Sequence, residues 1–120
     1  MNIVSREQFL SIYTNAYDNS EAIRNACTNP SEMCECEYYI LDDDNLAGCG
    51  VTSQGELVCL FSLAKGKGTS VVEYAVGMGA RLLDCFAWLT PYYERFGFTT
   101  TRTEPNWTEG EPNIHYMEIV

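Results

Sequence analysis

Glu56-Leu57-Val58-Cys59-Leu60-Phe61-Ser62-Leu63-Ala64-Lys65-Gly66-Lys67-Gly68-Thr69-Ser70-Val71-Val72 is the stretch on which the fold turns. Residues 56–63 are largely apolar and rich in strand-forming side chains, which predicts a strand. After Ser70 the period changes. Val71, Val72, Ala75, Val76 and Met78 recur as one helix face does, until Gly77 and Gly79 weaken and end the pattern. Between strand and helix stand Lys65, Gly66, Lys67, Gly68, Thr69 and Ser70, which include the only two lysines of the chain. Glycines let the backbone come close to a ligand, and a helix start carries positive charge. That junction therefore suits an anion, above all a phosphate.

Upstream, Ser5 is placed as an N-cap with Gln8 completing a capping box, and Phe9, Ile12, Tyr13, Ala16 and Tyr17 mark a helix over residues 6–17. A short helix over 20–27 should end at Asn29-Pro30. Strands are expected at 36–41 and 46–52, with the acidic turn Asp42-Asp43-Asp44-Asn45 between them, solvated in its simplest reading. Ser53-Gln54-Gly55 signals a tight hairpin into the strand at 56–63. Downstream, residues 81–87 are apolar after Arg81 except for Asp84 and read as a strand covered on both faces. Thr90-Pro91 places a cap and a first-turn proline before a short helix that Gly97 ends. Strands over 98–103 and 114–119, joined by a Pro/Gly/Asn-rich loop, close the chain. The order implies one α+β domain over residues 1–120.

A formal net charge of -10 argues against nucleic-acid or anionic-membrane binding, and leaves open a cationic partner or a DNA-charge mimic. No apolar run reaches membrane length and the first residues lack a signal-peptide pattern, so a cytoplasmic location is expected. Cys27, Cys34, Cys36, Cys49, Cys59 and Cys85 read as free buried thiols, with Cys34 and Cys36 on one face of a strand. With His115 the lone imidazole, no metal site is expected. The glycosylation sequon at Asn106-Trp107-Thr108 carries no weight in a cytosolic chain.

Three segments in this order resemble the GNAT superfamily of acyl-CoA-dependent N-acyltransferases. Residues 65–70 are similar to its pyrophosphate loop, with Lys65 in place of Gln or Arg and Ser70 in place of Gly or Ala. Tyr92-Tyr93-Glu94-Arg95-Phe96-Gly97-Phe98 is similar to its aromatic-Tyr-Glu-Lys/Arg-apolar-Gly-Phe segment, and the two closing strands follow it. Leu83-Asp84-Cys85-Phe86 and Asn106-Trp107-Thr108-Glu109-Gly110-Glu111-Pro112 add a resemblance to small phage and prophage GNAT-like proteins. The resemblance implies a mixed, mainly antiparallel central sheet flanked by helices, splayed at its centre between strands 56–63 and 81–87.

It further implies acyl-CoA as co-substrate. The pantetheine would lie along Leu60, Phe61, Ser62 and Leu63, and the pyrophosphate over Lys65, Gly66, Lys67, Gly68, Thr69 and Ser70. Tyr93 corresponds to the tyrosine that protonates the departing thiolate, a role a phenol with its ordinary pKa near 10 can fill. Glu56 stands where many relatives carry a general base, and Asp84 is the other candidate.

Plainer readings compete at each position. Gly66 and Gly68 could form a mere connection, Tyr93 could be a packing ring, Glu56 a hairpin surface charge, and Trp107 a lid on the core rather than a substrate contact. The first functional reading is transfer of an acetyl or other acyl group to an amine acceptor by direct attack. The acceptor would be a cationic small molecule or a protein amine. The alternatives are a non-catalytic GNAT-fold interaction protein, such as a phage-encoded regulator or inhibitor, and an acidic DNA mimic. The sequence leaves a homodimer possible.

Overall fold

A computed structural model of the chain describes residues 1–106 and 108–119. It contains two compact units, Met1–Ala80 and Arg81–Val120. The first holds β1 (Asn2–Val4), α1 (Arg6–Asn19), α2 (Glu21–Ala26), β2 (Tyr38–Leu41), β3 (Ala47–Val51), β4 (Leu57–Ser62) and α3 (Lys67–Gly77). Its strands form one antiparallel sheet in the order β1-β2-β3-β4.

Helix α1 begins as its sequence requires. The Ser5 hydroxyl accepts the Gln8 N–H at 3.1 Å, meeting one of the donors that every helix start leaves unpaired. Phe9, Tyr13 and Ala16 on one face of α1 are buried. The Phe9 ring lies 5.4 Å from Tyr39 and 6.0 Å from Phe61, and Tyr13 meets Phe61 edge-on at 5.6 Å. Helix α3 buries Val71, Val72 and Ala75, the periodic face read from sequence, and packs on β3. All five residues of β3 are buried, as in a strand enclosed on both faces. Gly48 is obligatory there, because a Cβ would stand 2.5 Å from the Ile40 carbonyl oxygen. The sequence pattern misses β1, three residues that become a strand only by pairing with β2.

Strand β4 carries a bulge. Gly48 pairs with Phe61 and Gly50 with Val58, so Cys59 and Leu60 both stand opposite Cys49. Cys59 takes a left-handed φ of 54°, the conformation expected of the first residue of such a bulge.

The second unit holds β5 (Leu82–Phe86), α4 (Thr90–Glu94), β6 (Thr99–Glu104) and β7 (Ile114–Glu118), with β7 central in an antiparallel sheet of order β5-β7-β6. Leu83, Tyr93, Phe98, Ile114 and Met117 are its buried apolar side chains among the described residues. The α+β class with antiparallel sheets flanked by helices stands as the sequence implies. Strand β4 ends the first sheet and β5 ends the second. Three local expectations change. Strand β5 is not covered on both faces, since Asp84 is exposed. Thr90 is the first helical residue rather than the cap, its hydroxyl donating to the Ala87 carbonyl at 3.0 Å. Cys34 and Cys36 precede β2 instead of sharing a strand face.

Candidate functional site

The junction of β4 and α3 is built by three hydrogen bonds and a glycine turn. The Leu63 N–H donates to the Leu46 carbonyl at 2.7 Å, which ties the exit of β4 to the β2–β3 turn. The Ser62 hydroxyl donates to the Ala64 carbonyl at 2.7 Å, and the Lys67 N–H to the same carbonyl at 3.3 Å. Gly66 then supplies a φ of 85°, which an L side chain adopts only with strain, and α3 begins at Lys67. No side chain caps this helix and no acidic residue lies in its first turn. An uncapped start keeps its positive end available to an anion.

The two lysines, equivalent in sequence, differ in the structure. Lys65 is exposed. The Lys67 ammonium lies 3.0 Å from Asp44 Oδ2 and 3.6 Å from Asp42 Oδ2. The hydrogen bond and charge of Asp44 raise the Lys67 pKa above its ordinary value. The acidic turn is therefore not simply solvated, as its sequence suggested. Asp42 is 3 % exposed, and its Oδ1 accepts the N–H groups of Leu46 at 2.7 Å and Ala47 at 3.2 Å. Asp42 and Asp44 are the site residues that sequence reading missed. Their spacing from Lys67 is 25 and 23 residues, so no local pattern could have paired them.

Glu56 is half-buried at the start of β4, held by the hairpin: its N–H donates to the Thr52 hydroxyl at 3.0 Å, and its carbonyl accepts the Thr52 N–H at 2.9 Å. It stands at the opposite end of the strand from the lysines, about 20 Å along six extended residues. Along β4, Leu60 is half-buried, Phe61 buried, and Ser62 and Leu63 exposed. The Leu60 carbonyl, at the bulge, accepts the Cys27 thiol at 3.1 Å. Thr69 is half-buried and Ser70 exposed on the first turns of α3, where Gly68 is buried.

In the second unit, Tyr93 is 8 % exposed on α4. Its ring meets Tyr92 edge-on at 5.2 Å and Phe98 at 6.2 Å, and Tyr92 in turn meets Phe96 at 5.3 Å. The Tyr–Gly–Phe segment is thus an aromatic cluster closed by Gly97. Trp88 in the turn before α4, 61 % exposed, was not singled out by any pattern. Trp107 lies outside the described residues.

The thiols behave as buried side chains rather than nucleophiles. Burial pushes Cys27, Cys36 and Cys85 up to about 11 and Cys59 up to about 12. Each is protonated at neutral pH, and the thiolate is the reactive form. Cys34 departs from the expectation of buried thiols by being exposed. Among the described residues no three metal-ligating side chains cluster, and no helix is long and apolar enough to cross a membrane.

No protein-family model matches the sequence, and no curated protein matches it. The fold has solved counterparts. A crystal structure described as a "putative N-acetyltransferase" from Lactobacillus plantarum superposes with a TM-score of 0.57 at 14% identity, covering 99% of this chain and 98% of that one. Another, described as a "putative acetyltransferase" from Agrobacterium tumefaciens, gives 0.48 at 20% identity over 99% and 95% of the two chains. The first likeness is one of fold: the chain shares its α+β architecture with that structure.

Proposed function

We propose that the protein is an N-acyltransferase that moves an acetyl or other acyl group from acyl-CoA to an amine. The observation that carries this reading is the uncapped, glycine-opened start of α3, with both lysines of an acidic chain beside it, directly after a bulged strand at the end of its sheet. A fold of acetyltransferase type supports it. The first-turn backbone of α3 after Lys67, whose own N–H is held by the Ala64 carbonyl, would hold the pyrophosphate together with the Lys65 and Lys67 side chains. Leu60 to Leu63 would offer backbone partners to the pantetheine amides.

In this scheme the amine nitrogen attacks the thioester carbon, the C–S bond breaks, and the thiolate leaves with a proton from the Tyr93 hydroxyl. Glu56 takes the proton that the attacking nitrogen loses, directly or through water. Asp84, exposed on β5, is the other carboxylate that could take this proton. A net charge of -10 favours a cationic acceptor, a basic small molecule or a protein amine.

Titration calorimetry with acetyl-CoA and desulfo-CoA tests the reading, with micromolar binding expected for both. Tyr93→Phe then tests the chemistry. The packing ring survives, so melting temperature and acetyl-CoA affinity should stay near wild type, while turnover falls by roughly two to four orders of magnitude. Native turnover in that variant would leave Tyr93 a packing residue. Binding without acylation of any amine in a broad screen would favour a non-catalytic protein of the same fold.

A further inference from the structure

Lys67 is the one cation on α3's first turn, yet its ammonium is committed to two carboxylates of the β2–β3 turn that are unlike each other. Asp42 is buried. Its Oδ1 is fixed by two backbone N–H groups, and its Oδ2 has no hydrogen-bond partner, only the ammonium at 3.6 Å. That carboxylate cannot lose the cation without leaving a bare charge away from water, so Lys67 must stay within its reach. Asp44 has a side chain 63 % exposed, and its 3.0 Å contact with Lys67 is exchangeable for water at little loss.

An anion arriving at the start of α3 meets this arrangement unfavourably. It competes with Asp44 for the same ammonium, and its charge is repelled by the same carboxylate. We propose that Asp44 is a specificity-determining latch: it holds Lys67 in the empty site and releases it only to an anion of diphosphate charge, while Asp42 serves as the fixed pivot for both positions. This rests on the CoA reading of the site. A singly charged anion offers Lys67 no more than Asp44 already does, so the latch stays shut. A diphosphate offers two or more charges together with the α3 N–H groups, and the balance reverses. Asp44 is then a positioning residue, acting on the ligand through Lys67.

The consequence is a gain of affinity on removing an acid. Calorimetric titration of CoA at low salt should show Asp44→Asn binding about three- to tenfold tighter than wild type, the advantage shrinking as salt rises to about 0.5 M. In a Lys67→Met background, which keeps the aliphatic stem, Asp44→Asn should bring little gain. Far-ultraviolet circular dichroism establishes that each variant is folded. An equal gain in both backgrounds would mean plain repulsion and overturn the latch, as would no gain in either. If wild type binds CoA and Asp44→Asn binds it no better, only the latch falls. If neither wild type nor any variant binds CoA, the latch and the CoA reading fall together.

Discussion

Helices α1 and α3 are anchored alike and begin differently. Each presses an apolar face on the first sheet, Phe9, Tyr13 and Ala16 from one and Val71, Val72 and Ala75 from the other. At α1, Ser5 caps the first turn and Glu7 adds a negative charge to it, so the helix satisfies its own positive end. At α3, glycine stands where the cap would be, no acid lies in the first turn, and the nearest carboxylates come from a distant hairpin through Lys67. The same backbone physics is closed off at one helix and left open at the other. An open end costs stability, which the anion-binding role proposed for α3 would offset.

The anchoring half of the comparison carries the largest expected effect. Tyr13→Ala removes a fully buried ring and its 2.5 Å hydrogen bond to the Thr28 carbonyl, and should lower folding stability by about 4 kcal/mol, read from urea unfolding. A loss near 1 kcal/mol would show that α1 is not anchored by that face.

At α3 the lysines should separate. Lys67→Ala strands the buried Asp42 carboxylate and should lower the melting temperature clearly, whereas Lys65→Ala, at an exposed position, should leave it unchanged. A double replacement of both lysines therefore mixes folding with binding, and Lys65 is the cleaner probe of the anion. Lys65→Ala should weaken CoA binding by about fivefold at low salt. Equal CoA affinity with and without the Lys65 charge would take Lys65 out of the site.

The smallest effect belongs to the capped end. Ser5→Ala should destabilise by about 1 kcal/mol and leave CoA affinity untouched. Were it to alter affinity as Lys65→Ala does, the two helix starts would not be functionally distinct.

Features that depend on near neighbours are legible in the chain alone. The Ser5–Gln8 cap, the buried faces of α1 and α3, the turn between β3 and β4, and the strand–glycine–helix order at residues 56–77 all rest on contacts within a few residues, and each lies where its pattern places it. The glycine-lysine junction and the aromatic Tyr92-to-Phe98 segment were legible for the same reason. Tertiary structure decided the rest. Asp42 reads as a solvated turn acid until Leu46, Ala47 and Lys67 enclose it. Cys59 reads as an ordinary strand residue until pairing with β3 forces an extra residue into β4 and turns its φ positive. Residues 2–4 have too little pattern to be a strand until β2 supplies their hydrogen bonds. Lys65 and Lys67, two residues apart, diverge because a side chain's partners are chosen by distance in space, and the carboxylates that claim Lys67 lie more than twenty residues away along the chain.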